Sequence, residues 1–367
     1  MAAAASSSAV TRNAVVVLAV IATGATLSWM SDILTPLALA MFLAVMIDGF
    51  ARVLEHRLPG ISSRAALPLA VVLSVAIFGG SAFFIAENAT SFAGQMVAYT
   101  PKLNALIARA AGIFGVHAQV SISTLLEQLD PTKYLGMVAK GLQNFTSTAS
   151  FVLVYAGFIM ASRRSFERKM VSLFRTREER QDAVAGFLRI RDGVEQYLWV
   201  QTVTGLMIAA SSWVAMFLTG LDNAAFWAFL IFIVSYIPVI GGLLAIVFPP
   251  LFALLQFDSV VPAIILFAVL NGIGVVVGNF IYPRMQGRSL NMDPVVVLLA
   301  LAFWGAIWGL AGAFLSTPLT VMAMVILAQF DGTRWIAVLL SADGNPQHLK
   351  DAKPGRLPDD PQHARSQ

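Results

Sequence analysis

Asn271 and Asn279 stand eight residues apart in a stretch, 259–283, that holds no charged side chain. Eight residues make a little over two helical turns, so the two amides fall roughly on one helix face. An amide in apolar surroundings needs a hydrogen-bond partner, which is either a polar solute or a neighbouring helix. Gln196 and Gln201, five residues apart, pose the same choice. Arg284 and Arg288 suit a clamp for an anionic or sugar-like solute, or an anchor at a membrane boundary. Asp222, Asp258 and Asp293 each border an apolar run. Each could cap a helix start or carry a coupled proton, and Asp293, directly before Pro294, suits the cap. An ion exchanger needs an ionisable group at depth. The long apolar runs contain none, so only Asp48, Glu87, Glu195 and these bordering acids remain. That pattern disfavours proton antiport and favours a neutral polar solute.

Catalysis finds no inventory. His56, His117, His348 and His363 are scattered without metal-ligand spacing, and cysteine is absent. No serine elbow, phosphate loop or nucleotide-binding motif occurs. The chain reads as a non-enzyme with no cofactor, and any transport must run on a gradient or be passive.

The elements that position these residues follow from where charge is missing. Of 367 residues, 58% are hydrophobic and only 12% charged, with mean hydropathy +0.77. A soluble domain carries about 25% charged residues. The composition therefore excludes an ordinary soluble enzyme, a nucleic-acid binder and a disordered chain, and leaves an all-α polytopic membrane protein. The net charge of +4 reads as topology, because basic residues stay on the cytoplasmic side.

Charge-free runs cover 13–31, 33–47, 65–86, 141–162, 196–221, 223–257, 259–283 and 294–330. A spanning helix needs about 20 apolar residues. The first two runs are short and read as a tight helical hairpin. A cleavable signal peptide, with Arg12 and the small residues near Ala22 to Ala25, is the alternative. Apolar residues at three- and four-residue steps make 89–114 an amphipathic helix, and Leu125 to Phe145 repeats the pattern. Segment 163–195 carries nine of the 24 basic residues with acidic residues interleaved. It reads as a pair of cytoplasmic amphipathic helices rather than a nucleic-acid patch.

The positive-inside rule places 51–64, 163–195 and the tail in the cytoplasm, and the nearly balanced 87–140 outside. The resulting layout has five parts. Residues 1–64 form an N-terminal hairpin and loop, and 65–162 two spans around an outer segment. Residues 163–195 form the basic segment, 196–341 the transport core, and 342–367 a disordered tail.

Two runs are broken. Run 223–257 is 35 residues long, and its middle reads Tyr236-Ile237-Pro238-Val239-Ile240-Gly241-Gly242. Proline removes a backbone donor and clashes with the preceding turn, and each half is too short to cross a ~30 Å core. A re-entrant hairpin turning at Pro238–Gly242 is expected. Run 294–330 repeats the theme with Gly305, Gly309, Gly312 and Pro318. If the first run returns to the outside, 259–283 crosses inward and Arg284 and Arg288 become cytoplasmic. Irregular backbone at depth lines a cavity, and a pair of such breaks points to a transporter site. Helix packing and kinking alone would also use glycine and proline.

The C-terminal third resembles the AI-2E (autoinducer-2 exporter) family. The carrying residues are Tyr197-Leu198 with Gln201, Ile237 to Gly241, Gly278-Asn279, Pro283-Arg284 and Gly287-Arg288. After them come Phe303-Trp304-Gly305, Gly309, Gly312, Leu315 to Thr320 and Ile336 to Ser341. The likeness is specific from about Asp192 to Ser341 and weak before it. Val239 and Gly242 depart from residues common in the family at those places, which puts specificity in question. The resemblance implies a multi-pass transporter of the bacterial inner membrane that forms a homo-oligomer, with a pentamer the order considered. It links the family to export of the quorum-sensing signal autoinducer-2 and, in some members, to sodium/proton exchange. A structural scaffold acting through 163–195 is a further alternative.

Overall fold

The computed structural model describes residues 18–57, 62–99, 146–162, 176–286, 291–330 and 332–345, with a few single positions between. Arg288, the amphipathic stretch 106–139, the basic residues 163–175 and the tail 346–367 lie outside them, as do Arg12, His117, His348 and His363.

Every described element is helical. Helix α1 is Leu18–Trp29, α2 is Ser31–Arg57 and α3 is Ser63–Ala98. Helix α4 is Thr146–Ser162, and α5 is Arg177–Leu218. Then come α6 (Ala224–Val234), α7 (Ile240–Gln256) and α8 (Val261–Val276). A π-helical turn, Val277–Ile281, leads into α9 (Tyr282–Gln286). Helix α10 is Pro294–Leu327 and α11 is Arg334–Leu340. Five helices are long and apolar enough to cross a membrane.

Helices continue past the ends of the charge-free runs. Helix α2 reaches Arg57, so much of the expected loop 51–64 is its last turns. Helix α3 runs on to Ala98 and absorbs the start of the amphipathic segment expected at 89. Helix α5, 42 residues long, passes through position 195 without a break and is about 63 Å long. The physical reason is simple. A charge ends a membrane span but does not end a helix, since Glu, Lys and Arg are good helix formers.

The helices pack in three groups. Ala40, Ala51, Ala66, Ala70 and Ala156 join α2, α3 and α4 in one alanine-rich core, as expected where small residues let membrane helices approach. A second core joins α5, α6, α7 and α8 around Met216, Ile231, Phe252 and Leu266. A third joins α2, α5 and α10 through Phe42, Tyr197, Leu198, Leu315 and Leu319, with Tyr236. Outside these cores the surface is apolar. Trp29 is 85% exposed and Leu310 82%, an arrangement that suits lipid rather than water.

Side-chain pairs sort the helix ends into two poles. At one, Arg52 pairs with Glu195, and a Cβ on Gly49 would lie 3.2 Å from the Glu195 carboxyl carbon. Gln196 Nε2 donates to the Met285 carbonyl at 3.0 Å, which brings Arg284 to this Glu195 pole. At the other, Lys102 Nζ meets Asp258 Oδ1 at 2.8 Å, and Asn223 Nδ2 donates to Gln95 Oε1. Of the segments expected inside, the described residues Arg52, Glu195 and Arg284 therefore share the first pole. Gln95 and Lys102, from the segment expected outside, share the second with Asn223 and Asp258.

Candidate functional site

The first break forms a hairpin of α6 and α7. Its base is closed by one side chain. Gln256 Nε2 donates to the Gly220 carbonyl at 2.8 Å, and Gln256 Oε1 accepts from Asp222 N at 2.7 Å. The segment thus ends beside the place where it began. At the tip, Ile240 N donates to the Pro238 carbonyl at 2.7 Å, with Val239 at φ 67°, ψ −50°. This is the rarer, strained form of γ-turn, held by a β-branched residue. Gly241 is required there, because a Cβ would lie 2.6 Å from Ser235 Cα. Gly242 has open space around it. Gly205 on α5 makes room for the tip, since its Cβ would meet Ser235.

The second break divides α10 at Trp308 (φ −123°, ψ 15°) and Gly309 (φ 60°, ψ −138°). Gly309 takes the positive φ that glycine tolerates best. Trp304 Nε1 donates to Thr320 Oγ1 at 3.0 Å. A straight helix would separate those residues by about 24 Å, so 294–307 and 310–327 are the two arms of a hairpin. Gly312 lets them meet: its Cβ would lie 2.6 Å from the Trp304 carbonyl carbon. The ends also close, with Met292 bridged to Ser341 and packed with Met324 and Ala328. Trp308 Nε1 donates to the Leu27 carbonyl at 3.0 Å and ties the turn to α1.

The two hairpins touch where they are irregular. The Tyr236 ring stacks on Phe314 at 4.9 Å. Its hydroxyl lies 2.7 Å from Thr202 Oγ1, and its carbonyl accepts from Tyr197 at 3.3 Å. Gln201 Nε2 donates to the Ser235 carbonyl. A cavity of about 330 Å³ opens beside this contact. Its walls come from α5 (Tyr197, Gln201, Thr204), the tip 237–242, α7 and α8 with the π-turn, and Val297 and Thr317 of the second hairpin.

No Asp, Glu, Lys, Arg or His is among its described lining residues. It is not greasy throughout. Pro249 and Pro250 lie inside α7; lacking N–H groups, they leave the carbonyls of Ala245 and Ile246 without their helical donors. Both of those residues line the cavity. The π-turn supplies Val277 and Gly278 to the same wall, and π-turns collect at functional sites.

Of the residues singled out in the sequence, the cavity gathers Gln201, Pro238, Gly241 and Gly242. Tyr236 sits behind it as the stacking partner. Gly305, Gly309, Gly312 and Pro318 shape the second hairpin rather than the wall. Gln196 is bonded to Met285. Asn271 is half-buried and Asn279 exposed, and neither lines the cavity. The π-turn Val277–Ile281 contains Asn279, so the α-helical spacing that put the two on one face does not hold. Arg284 is exposed at the Glu195 pole.

The three aspartates are apart from the cavity. Asp293 caps α10, accepting from Val295 N at 2.8 Å. Asp222 is at the hairpin base, and Asp258 is bonded to Lys102. That hydrogen bond first, and the ammonium charge with it, hold the Asp258 carboxyl below its ordinary range. Sequence reasoning passed over Thr204, Tyr282 and Thr317 as lining residues. No local signal marks them, because serine and threonine are common in membrane helices.

A multi-helix membrane protein with paired broken helices beside an uncharged cavity has the architecture of a secondary transporter. Residues 15–332 match the family described as AI-2E family transporter, and the chain belongs to that family. It is 28% identical over 319 residues to the AI-2 transport protein TqsA of Escherichia coli (strain K12), covering 85% of this chain and 90% of TqsA. YhhT of the same strain is 26% identical over 321 residues, 86% of this chain and 90% of YhhT.

Proposed function

We propose that the protein exports a small, neutral, polar solute across the bacterial inner membrane, with autoinducer-2 the leading candidate. The observation that carries this reading is the cavity between the hairpins, uncharged on every described lining residue. A volume of about 330 Å³ is at the small end of the ~300–1,000 Å³ range of ligand sites. Backbone carbonyls and hydroxyls suit a hydroxyl-bearing solute, and no described lining residue is a carboxylate that would balance a cation or carry a coupled proton. The likeness to a protein named for AI-2 transport supports the candidate.

In this reading both hairpins re-enter the membrane, the first from the outside and the second from the cytoplasm. Their arms are held closed at the base and meet at the tips. The exposed apolar surface and the family resemblance support a homo-oligomer, with a pentamer the order to test.

Counterflow of labelled autoinducer-2 in proteoliposomes tests the activity. Uptake that follows sodium and pH, with no counterflow of the signal, would replace export with cation/proton antiport. For topology, the cysteine-free chain allows Arg284→Cys to be labelled from either face. Labelling from the cytoplasmic face alone is expected; labelling from outside would overturn the re-entrant arrangement.

A further inference from the structure

Thr317 is 2% exposed, lines the cavity, and its hydroxyl has no hydrogen-bond partner. Its neighbours in kind are all satisfied. Thr204 Oγ1 donates to the Val200 carbonyl at 2.7 Å, and Thr320 Oγ1 to the Ser316 carbonyl at 2.7 Å. Ser316 Oγ donates to the Ala313 carbonyl at 2.8 Å, the acceptor a helical Thr317 would ordinarily reach. The Tyr197 hydroxyl makes a weak polar contact with Thr317 that falls short of full hydrogen-bond geometry, and it already donates to the Tyr236 carbonyl at 3.3 Å. A buried hydroxyl left open is costly, and native proteins rarely keep one without a use.

We propose that Thr317 determines solute specificity: its hydroxyl hydrogen-bonds a hydroxyl or carbonyl of the transported solute. The inference rests on the cavity being the transport site. Thr317 sits on the return arm of the second hairpin, while Ser235 to Gly242 belong to the first. A solute held by Thr317 therefore touches both hairpins at once. A threonine hydroxyl both donates and accepts, and a buried group built to bond a substrate hydroxyl rejects analogues that lack it.

The test uses the full chain in proteoliposomes with autoinducer-2 as probe. Thr317→Val keeps the shape and removes the hydroxyl. It is expected to raise the half-saturating concentration about ten-fold, the worth of one such bond, with the maximal rate kept. Thr317→Ser should stay near wild type. In detergent without solute, Thr317→Val should melt at or above the wild-type temperature, because an open buried hydroxyl is replaced by a methyl.

A lower melting temperature would show that the hydroxyl serves the fold, and unchanged half-saturation would show that it does not touch solute. Either overturns the inference. If wild type gives no counterflow, autoinducer-2 export fails, and Thr317 is judged by the solute-free arms. There, Thr317→Cys should react with a small methanethiosulfonate reagent, as should Val239→Cys at the exposed tip. An inert Thr317→Cys beside a reactive Val239→Cys overturns the placement.

Discussion

Replacing Gly312 by alanine should open the second hairpin. The added Cβ would lie 2.6 Å from the Trp304 carbonyl carbon and 2.9 Å from Trp308 Cβ. Carbon atoms rest at about 3.5–4.0 Å, so the arms must part by roughly 1 Å. The obstacle is main chain, which cannot rotate away as a side-chain end would. Overpacking of this kind costs about 1–3 kcal/mol. The parting also strains the Trp304–Thr320 bond at 3.0 Å, worth about 1 kcal/mol. Together these predict a loss of about 2–4 kcal/mol.

The assay is thermal unfolding of the purified protein in detergent, followed by tryptophan fluorescence and paired with solute counterflow. Gly272→Ala serves as the control, because its Cβ would meet nothing within 4 Å and alanine is the better helix former. Its melting temperature should hold or rise. A Gly312→Ala protein that melts and transports like wild type would refute the hairpin, since an unbroken helix would accommodate the methyl freely.

Other expectations follow from the first hairpin. Val239→Gly releases a β-branched residue from φ 67° and should stabilise the tip by about 1–2 kcal/mol, after the entropy cost of glycine; a lowered melting temperature would contradict the strained turn. Gln256→Leu removes both bonds that close the base and should speed amide exchange at 220–223 by more than ten-fold, at about 1 kcal/mol per bond. The Lys102–Asp258 contact has its own pH signature. Asp258 is held below its ordinary range in the fold, so its contribution is present above the unfolded carboxylate value. It is lost as pH falls through the lower folded one. The contact should fade only in acid, below about pH 4; Asp258→Asn should abolish that dependence, and a loss near neutrality would be inconsistent with it.

Much of the fold was legible because charge is expensive in lipid. The bare stretch from Gln196 to Phe330 contains both broken segments, and the turns fall at Pro238–Val239 and at Gly309, one of the three glycines noted in the second. Element ends were less legible. Arg57, Ala98 and Arg177 end or begin helices well outside the apolar runs, since hydropathy reports the bilayer and not the helix. The expected alignment of Asn271 and Asn279 fails for a local reason: it assumed a regular α-helix, and the π-turn at Val277–Ile281 breaks it.

Composition and order of residues by themselves marked a helical membrane protein and the proline and glycine positions at which its helices break. Each of those follows from local chemistry: desolvation of charge, the missing N–H of proline, the free φ of glycine. The chain could not show that Gly241 and Gly312 face backbone while Gly242 faces open space. Nor could it show that Thr317, out of many hydroxyls, lacks a partner. Those depend on which surfaces meet when residues far apart in sequence are packed together, and only the tertiary structure decides that.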